Sequence, residues 1–324
     1  MRIGNNEFKY GLMLAPMAGY TDSAMRAVSH RLGAEYSVTE MVSAKAVVYG
    51  DKKTNALARI GENEGPVALQ LFGKEPEVVA EAASRLESPS EGSAPVAIDI
   101  NMGCPVRKIF SNGEGSALMR DPTLIFRIVR ATCATTKIPV TVKIRAGIDK
   151  AHRNAVECAL AAEEAGAGAI CIHGRTTEDM YSGRADREII ARVKEAVRIP
   201  VIANGDITSG KEALAMLRET NADGIAIGRG AVGNPFIFSE IRAAIDGKEF
   251  IPPTVAERIE VALGQLRAAI AEKGEYRAVN ESRKQIALYL RDFRGAAALR
   301  RDINRATAYA DVKAALEALL SAVD

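Results

Sequence analysis

The sequence predicts a (β/α)₈ barrel of the TIM type over residues 1–248, followed by a small all-helical domain over residues 254–324. Three observations carry this. Apolar, β-branched runs alternate with helical patterns eight times along the first three quarters of the chain. The runs are continuous rather than alternating, as expected of parallel strands covered on both faces. From Val255 onward strand signals stop and the pattern is helical throughout.

The units follow in order. Strand Leu12–Pro16 leads into helix Ser23–Arg31, and strand Tyr36–Thr39 into the weakest helix, around Thr54–Arg59. Strand Val67–Leu71 precedes helix Pro76–Leu86, and strand Val96–Asn101 precedes helix Thr123–Thr135. Strand Val140–Ile144 is followed by helix Arg153–Ala165, and strand Ala169–His173 by helix Arg187–Val197. Strand Val201–Asn204 leads to helix Ser209–Glu219, and strand Gly224–Gly228 to a helix near Pro235. Lys137-Ile138-Pro139-Val140 and Arg198-Ile199-Pro200-Val201 are similar entries from helix to strand. Proline stops the helix there and is tolerated at a strand's first position. A doubly wound sheet is the alternative, but no G-x-G-x-x-G turn follows the first strand. Pro252-Pro253 ends the last barrel helix, and about four helices are expected after it.

Composition narrows the class. Of 324 residues, 48% are hydrophobic, enough for a sizeable core, and the formal net charge of +2 names no partner. The four cysteines lack metal-ligand or redox-pair spacing, which suggests reduced thiols in a cytosolic protein and no metal site. Met1-Arg2-Ile3-Gly4-Asn5-Asn6 has no apolar leader run, and no apolar stretch is long enough for a bilayer. The expectation is a cytoplasmic monomer without a membrane partner.

The most informative stretch is Asn101-Met102-Gly103-Cys104-Pro105. It presents a cysteine on a Gly/Pro turn where a strand ends, a position suited to a reacting thiol. The active site of a (β/α)₈ barrel sits at that end of its strands. The residues there are Pro16-Met17-Ala18-Gly19, Gln70, Asn101 with Cys104, Lys143 with Arg145, His173, Asn204-Gly205-Asp206 and Gly228-Arg229-Gly230. Glycines in the last two loops, each leading into a helix, let backbone N–H groups approach an anion, so a phosphate-bearing ligand is expected. Lys143 lies in a strand, and leaving it buried and unpaired would cost several kcal/mol. It reads either as a Schiff-base lysine or as a cation holding an electron-rich cofactor ring. In the helical part, Arg277, Arg283, Lys284, Arg291, Arg294, Arg300, Arg301 and Arg305 stand against Glu281, Asp292 and Asp302. Eight bases against three acids leave a surplus of five over residues 277–305. That is either a solvated face or a phosphate-contacting surface.

Together, Ala15-Pro16-Met17-Ala18-Gly19-Tyr20-Thr21-Asp22, Asp99–Pro105, Lys143-Ile144-Arg145, His173-Gly174-Arg175-Thr176, Ala203-Asn204-Gly205-Asp206-Ile207 and Ile227-Gly228-Arg229-Gly230 resemble the tRNA-dihydrouridine synthases. The likeness is strongest to the bacterial B branch, through Asn204–Ile207, Pro235-Phe236-Ile237-Phe238 and the Pro252-Pro253 linker. It covers nearly the whole chain in order. It implies an FMN enzyme that is reduced by NADPH and converts a D-loop uridine of tRNA to 5,6-dihydrouridine. It assigns Cys104 as the acid that protonates carbon 5. It assigns Pro16, Met17, Ala18, Gln70, Lys143, His173, Asn204, Gly205, Asp206, Gly228 and Arg229 to the flavin. Asn101, Lys143, Arg145, Arg187, Arg283 and Lys284 fall to the substrate. The basic helical domain would grip tRNA while the base is flipped. Two rivals remain: an FMN barrel oxidoreductase acting on a free pyrimidine, and a non-catalytic tRNA-binding module.

Overall fold

The computed structural model describes residues 1–89, 91–293 and 295–323; Arg294, one of the eight expected basic positions, lies outside them. Eight parallel strands form the barrel: β1 (Leu12–Leu14), β2 (Tyr36–Val38), β3 (Val67–Phe72), β4 (Ala97–Asn101), β5 (Val140–Gly147), β6 (Ala169–Thr176), β7 (Val201–Asn204) and β8 (Gly224–Ile227). Each pairs with the next, and β8 returns to β1 with Ile225 opposite Leu12, so the barrel has no open edge. The outer ring is α1 (Ser23–Arg31), α2 (Lys52–Ala58), α3 (Pro76–Leu86), α4 (Pro122–Thr135), α5 (Ala155–Glu164), α6 (Arg187–Ala196), α7 (Gly210–Thr220) and α8 (Ile237–Ile245).

The apolar runs are continuous because the strands face two cores. Leu69, Leu71, Ile98, Ile100, Val140, Val142, Ile144, Ile170 and Ile172 pack outward against the helices. Met13, Tyr36, Val38, Ala68, Ala97, Ala169, Cys171 and Ile202 fill the barrel's interior. Side chains alternate along a strand. Thr141, Lys143 and Arg145 of β5 therefore share the inward face, as do Asp99 and Asn101 of β4. Cys171, His173 and Arg175 of β6 do the same, with Lys143 opposite Cys171 and Arg145 opposite His173. Small apolar residues occupy the start of this face and polar ones its end.

The structure departs from the sequence reading at boundaries and in short elements. β1 stops at Leu14, leaving Ala15–Ala18 as loop; there the Thr21 hydroxyl accepts from the Met17 N–H at 3.0 Å. β5 and β6 run on to Gly147 and Thr176, with an irregular register between Arg145 and Gly147. An N-terminal hairpin, Arg2–Ile3 with Asn6–Glu7, carries Ile3 and Phe8 into the interior core, where Phe8 meets Tyr36 at 5.2 Å between ring centroids. Val42–Ser43 pairs with the end of β3, and short helices form at Ala44–Val48 and Arg107–Ser111. These pieces are too short for periodicity to register.

Four further helices follow: α9 (Val255–Lys273), α10 (Glu275–Ile286), α11 (Ala296–Arg305) and α12 (Tyr309–Val323). Thr254 and Glu257 form a capping box at the start of α9. The four helices enclose their own core of Leu263, Leu266, Val279, Ile286, Tyr289, Leu299, Ile303 and Leu316, which Phe236 joins from the barrel side. A chain of buried amides ties this layer to the loop after β1. Tyr289 donates to Gln265, Gln265 to Gln285 at 2.9 Å, and Gln285 to the Tyr20 carbonyl at 3.3 Å. Lys273 adds an ion pair to Asp22 at 2.6 Å. Among the described residues no helix is long and apolar enough to cross a membrane.

The same loop is anchored from below by Arg26 of α1. Its guanidinium pairs with Glu64 at 2.5 Å and donates to the Thr21 carbonyl at 2.6 Å and the Arg59 carbonyl at 3.2 Å, with both charged side chains nearly inaccessible. Arg26→Met leaves the Glu64 carboxylate buried without its cation. The expected loss is about 3–5 kcal/mol of unfolding free energy, read from a urea denaturation curve.

Candidate active site

One cavity of about 740 Å³ opens where the strands end, and residues from all eight strands or their following loops line it. Pro16, Met17, Ala18, Gln70, Asn101, Cys104, Lys143, Arg145, His173, Asn204, Gly205, Asp206, Gly228 and Arg229, all expected there from sequence, are brought together. Leu288 and Arg291, beyond the end of α10, complete the wall from the helical layer. Sequence periodicity assigned those two to the tail and carried no signal that they would reach the barrel mouth.

Cys104 is half-buried on the turn after β4. Asn101 builds that turn: its Oδ1 accepts from the N–H groups of Cys104 at 2.9 Å and Gly103 at 3.2 Å. Ser116 donates to the Cys104 carbonyl at 2.9 Å from its side chain. Gly115 makes the approach possible, since a Cβ there would fall 2.9 Å from the Cys104 carbonyl oxygen. Burial pushes the Cys104 thiol's pKa upward, more than the Val106 N–H and the charges of Arg145 and Lys143 pull it down. At neutral pH the sulfur keeps its proton.

Arg145, expected to touch substrate, lines the cavity, and the Nε and Nη1 of its guanidinium are taken by the protein. It donates to the carbonyls of Gly103 at 2.7 Å, Thr176 at 2.7 Å and Met180 at 2.9 Å. It thereby locks the cysteine turn to the loop after β6. Its outer face lies 5.7 Å from the Tyr181 ring centroid, and Arg229 lies 5.1 Å from the same ring. Tyr181, half exposed at the cavity, is a site residue the sequence reading missed; it follows β6 by five residues and shows no motif.

Lys143 reaches Asn204 Oδ1 at 3.2 Å, and Asn204 in turn donates to the Ala226 carbonyl at 2.7 Å. Burial, above all, lowers the lysine's pKa. His173 is 7% exposed, and burial together with the surrounding cations brings its pKa down to about 2. Arg175 Nη1 stands 3.2 Å from His173 Nε2. A guanidinium only donates, so Nε2 accepts and the ring's proton sits on Nδ1.

The loops after β7 and β8 form a cradle. Arg175 holds both oxygens of Asp206, at 2.7 and 2.9 Å, and Asp206 also accepts the Ala185 N–H at 2.7 Å. Asp206 is thus a brace for its loop, at a left-handed φ of 52°. A Cβ at Gly230 would meet the Ile207 carbonyl oxygen at 2.2 Å, so that contact between the two loops requires glycine. At Gly228 a Cβ would project towards Met17 Sδ at 3.6 Å, within the cavity wall. Arg229 is exposed beside these glycines, with Asp206 no nearer than 3.9 Å.

Three expected substrate residues, Arg187, Arg283 and Lys284, are not among those lining the cavity. Arg187 pairs with Glu219 at 2.8 Å and is absent from the cavity wall, because the first turn of α6 directs it to the neighbouring helix. Arg283 donates through Nε to the Ala306 carbonyl at 2.9 Å, satisfying the backbone where α11 ends. It is a fastening within the helical layer rather than an open cation. Lys284 is exposed, its ammonium 4.3 Å from the Tyr20 ring centroid on the barrel side. Among the described residues no group of three or more His, Cys, Asp or Glu is placed to hold a metal ion.

A closed parallel barrel whose strand ends present a protonated thiol, a lysine, a neutral imidazole and a glycine cradle is the working end of a barrel enzyme. The chain belongs to the dihydrouridine synthase family: the family model "Dihydrouridine synthase (Dus)" matches residues 13–324. It is 42% identical over 292 residues to tRNA-dihydrouridine synthase B of Shewanella oneidensis, covering 90% of this chain and 89% of that one. It is 41% identical over 292 residues to the Pseudomonas putida protein of the same name, covering 90% and 85%. The probable tRNA-dihydrouridine synthase of Treponema pallidum is 37% identical over 323 residues, covering 97% and 94%. The fold is also that of histamine dehydrogenase from Rhizobium sp. 4-9, with a TM-score of 0.56 at 14% identity over 82% of this chain and half of that longer one.

Two measurements check the site. The raised thiol pKa makes Cys104 react slowly with iodoacetamide at pH 7, with a rate that keeps climbing beyond the range of a free cysteine. The chain has three histidines. In ¹⁵N-histidine NMR, the His173 ring should stay neutral, with its proton on Nδ1, from pH 8 to pH 4.

Proposed function

We propose that the protein is a tRNA-dihydrouridine synthase that uses FMN, reduced by NADPH, to convert a D-loop uridine to 5,6-dihydrouridine in the cytoplasm. The observation that carries this reading is the protonated Cys104 thiol, held on a locked turn over the same cavity as the lysine and the glycine cradle. Kinship with the B-type relatives supports the tRNA substrate.

The residues present fit a flavin mononucleotide. Gly228, Gly230 and the exposed Arg229 offer a narrow, cationic place for one phosphate. Pro16–Ala18 and Gln70 supply an apolar wall and a carboxamide for a planar ring, and Lys143 is a half-buried cation beside it. A reduced flavin bound there supplies the hydride for carbon 6 of the uracil.

The chain's own residues do the rest. Cys104 Sγ gives its proton to carbon 5, for which a thiol that remains protonated at neutral pH is suited. Arg145 holds the thiol's turn against the loop after β6, and His173, fixed as the Nδ1–H tautomer, offers a donor without carrying charge. Residues 254–324 form the tRNA-binding domain in this reading. A uridine in folded tRNA must leave its stack to enter the cavity, and the exposed Lys284, Arg291, Arg300, Arg301 and Arg305 can hold the backbone while it does.

The purified protein should be yellow with FMN and should oxidise NADPH. Cys104→Ala should keep both properties and lose at least about 100-fold in dihydrouridine formation, which general-acid catalysis can account for; retained tRNA activity would remove Cys104 as the acid. Lys284→Glu should weaken tRNA binding, with a loss that shrinks as salt rises. Equal reduction of free uridine and tRNA would instead indicate an enzyme of free pyrimidines.

A further inference from the structure

Beneath the cysteine turn a line of four buried side chains crosses the barrel interior. Asp99 is 4% exposed, Gln70 1%, Asn101 7% and Thr141 4%. Thr141 Oγ1 donates to Asp99 Oδ1 at 2.6 Å, and Gln70 Nε2 donates to Asp99 Oδ2 at 2.7 Å. Asn101 Nδ2 donates to Gln70 Oε1 at 2.9 Å, and Asn101 Oδ1 accepts the Cys104 N–H at 2.9 Å. Strand register sets this up, since Asp99 lies opposite Gln70 on β3 and opposite Thr141 on β5.

The orientation of both amides follows from either end of the line. Backbone N–H groups only donate, so Asn101 must turn Oδ1 to Gly103 and Cys104 and Nδ2 to Gln70. Gln70 must then show Oε1 to Asn101 and Nε2 to Asp99. From the far end, both Asp99 oxygens accept, from Thr141 and from Gln70, which demands the same orientation of Gln70; burial raises the carboxyl's pKa, and those two hydrogen bonds and Lys143 hold it down. No link in the line is frustrated. A flipped amide at either position would set two donors or two acceptors face to face in a buried place, where an unmet polar group costs about 1–3 kcal/mol.

We infer that Asp99 is a positioning residue for the proton donor: through the ordered amides of Gln70 and Asn101 it fixes the backbone turn that presents the Cys104 thiol. Asp99 lies well below the thiol, on the same inward face of β4 two residues before Asn101, and acts only through its neighbours. The other groups that face it are the Lys143 ammonium on β5 and the buried Tyr36 hydroxyl on β2. Reading Cys104 as the catalytic acid depends on the proposed function, but the line of hydrogen bonds does not.

The line can be reversed as a unit, and this supplies the test. Asn101→Asp keeps an acceptor for the two turn N–H groups but sets a second oxygen against Gln70 Oε1. Adding Asp99→Asn lets every amide run the other way. The new amide at position 99 donates to Gln70, Gln70 donates to the new carboxylate at position 101, and that carboxylate accepts from the turn. Thr141 still donates to the remaining oxygen at position 99. Total charge equals that of the starting protein. The readout is iodoacetamide alkylation of Cys104 in the purified holoprotein, followed by peptide mass spectrometry across a pH series. The pH series separates the thiol's pKa from the limiting rate, which reports how rigidly the turn holds the sulfur.

For Asn101→Asp the limiting rate should rise by about fivefold or more, as expected for loss of one buried hydrogen bond. Asp99→Asn alone should change it less than twofold, because its oxygen can still accept from Gln70 while the Thr141 hydroxyl turns to accept from the new amide. The double variant should return to within twofold of the starting protein, although its pH profile stays displaced by the carboxylate now beside the sulfur. A double variant as fast as Asn101→Asp would overturn the inference. Should Asn101→Asp fail to fold, Gln70→Met cuts the same line without a charge; a limiting rate equal to that of the starting protein would overturn it equally. Because alkylation needs no tRNA, the result stands apart from whether dihydrouridine is formed.

Discussion

A closed barrel gives its inward-facing side chains no water to turn to, and every polar group placed there has to be bonded to another or to a ligand. The rest of this protein's active end depends on that constraint. β4, β5 and β6 each alternate strictly, so Asp99, Asn101, Thr141, Lys143, Arg145, His173 and Arg175 are all delivered to one enclosed face. Their mutual satisfaction produces the hydrogen-bonded line below Cys104, the brace of Arg145 above it and the Arg175–Asp206 pair beside it. Groups left with capacity at the cavity include the Cys104 thiol, the Lys143 ammonium, the His173 Nδ1–H and the Arg229 guanidinium. Those are the groups a substrate or cofactor would meet.

Rigidity and chemistry are coupled through the same contacts. Arg145 is a cation at the active end, yet its donors go to three carbonyls, so it acts on the position of Gly103 and of the loop carrying Met180. Arg175 is likewise consumed by Asp206 and His173, and it adds to burial, Lys143 and Arg145 in lowering the imidazole's pKa. The cations that order the pocket thereby set the protonation of their neighbours. The thiol, buried more than it is stabilised as an anion, stays a donor; the imidazole, surrounded by positive charge, stays uncharged.

The helical layer is fastened to the barrel where substrate would enter. Gln285 reaches the Tyr20 carbonyl, Lys273 pairs with Asp22, and Leu288 and Arg291 form part of the cavity wall. The site is therefore built from both parts of the chain. This also separates two kinds of base within one charged stretch. Arg283 is spent on the Ala306 carbonyl inside the layer, whereas Lys284, one residue on, points outward over Tyr20. A count of charges along the chain cannot distinguish them.

The eight strands, most of the helices and the Cys104 turn were legible in the sequence because they rest on local rules. Continuous apolar runs mark strands with two covered faces, prolines mark helix-to-strand entries, and polar residues gather at strand ends. Which polar residues act on a ligand and which act on each other was decided only by the tertiary structure. Arg145 and Arg283 are cations like Arg229, and their difference lies in which backbone carbonyls come within reach after folding. Arg187, assigned to substrate by the resemblance, is turned by its helix towards Glu219. Tyr181 and Arg291 have no local signature and reach the cavity through long-range packing. Residue type and strand period thus determined the barrel and the presence of a thiol at its strand ends. The partners of each buried polar group, and with them the thiol's orientation and protonation, were set by contacts between strands and loops distant in the chain.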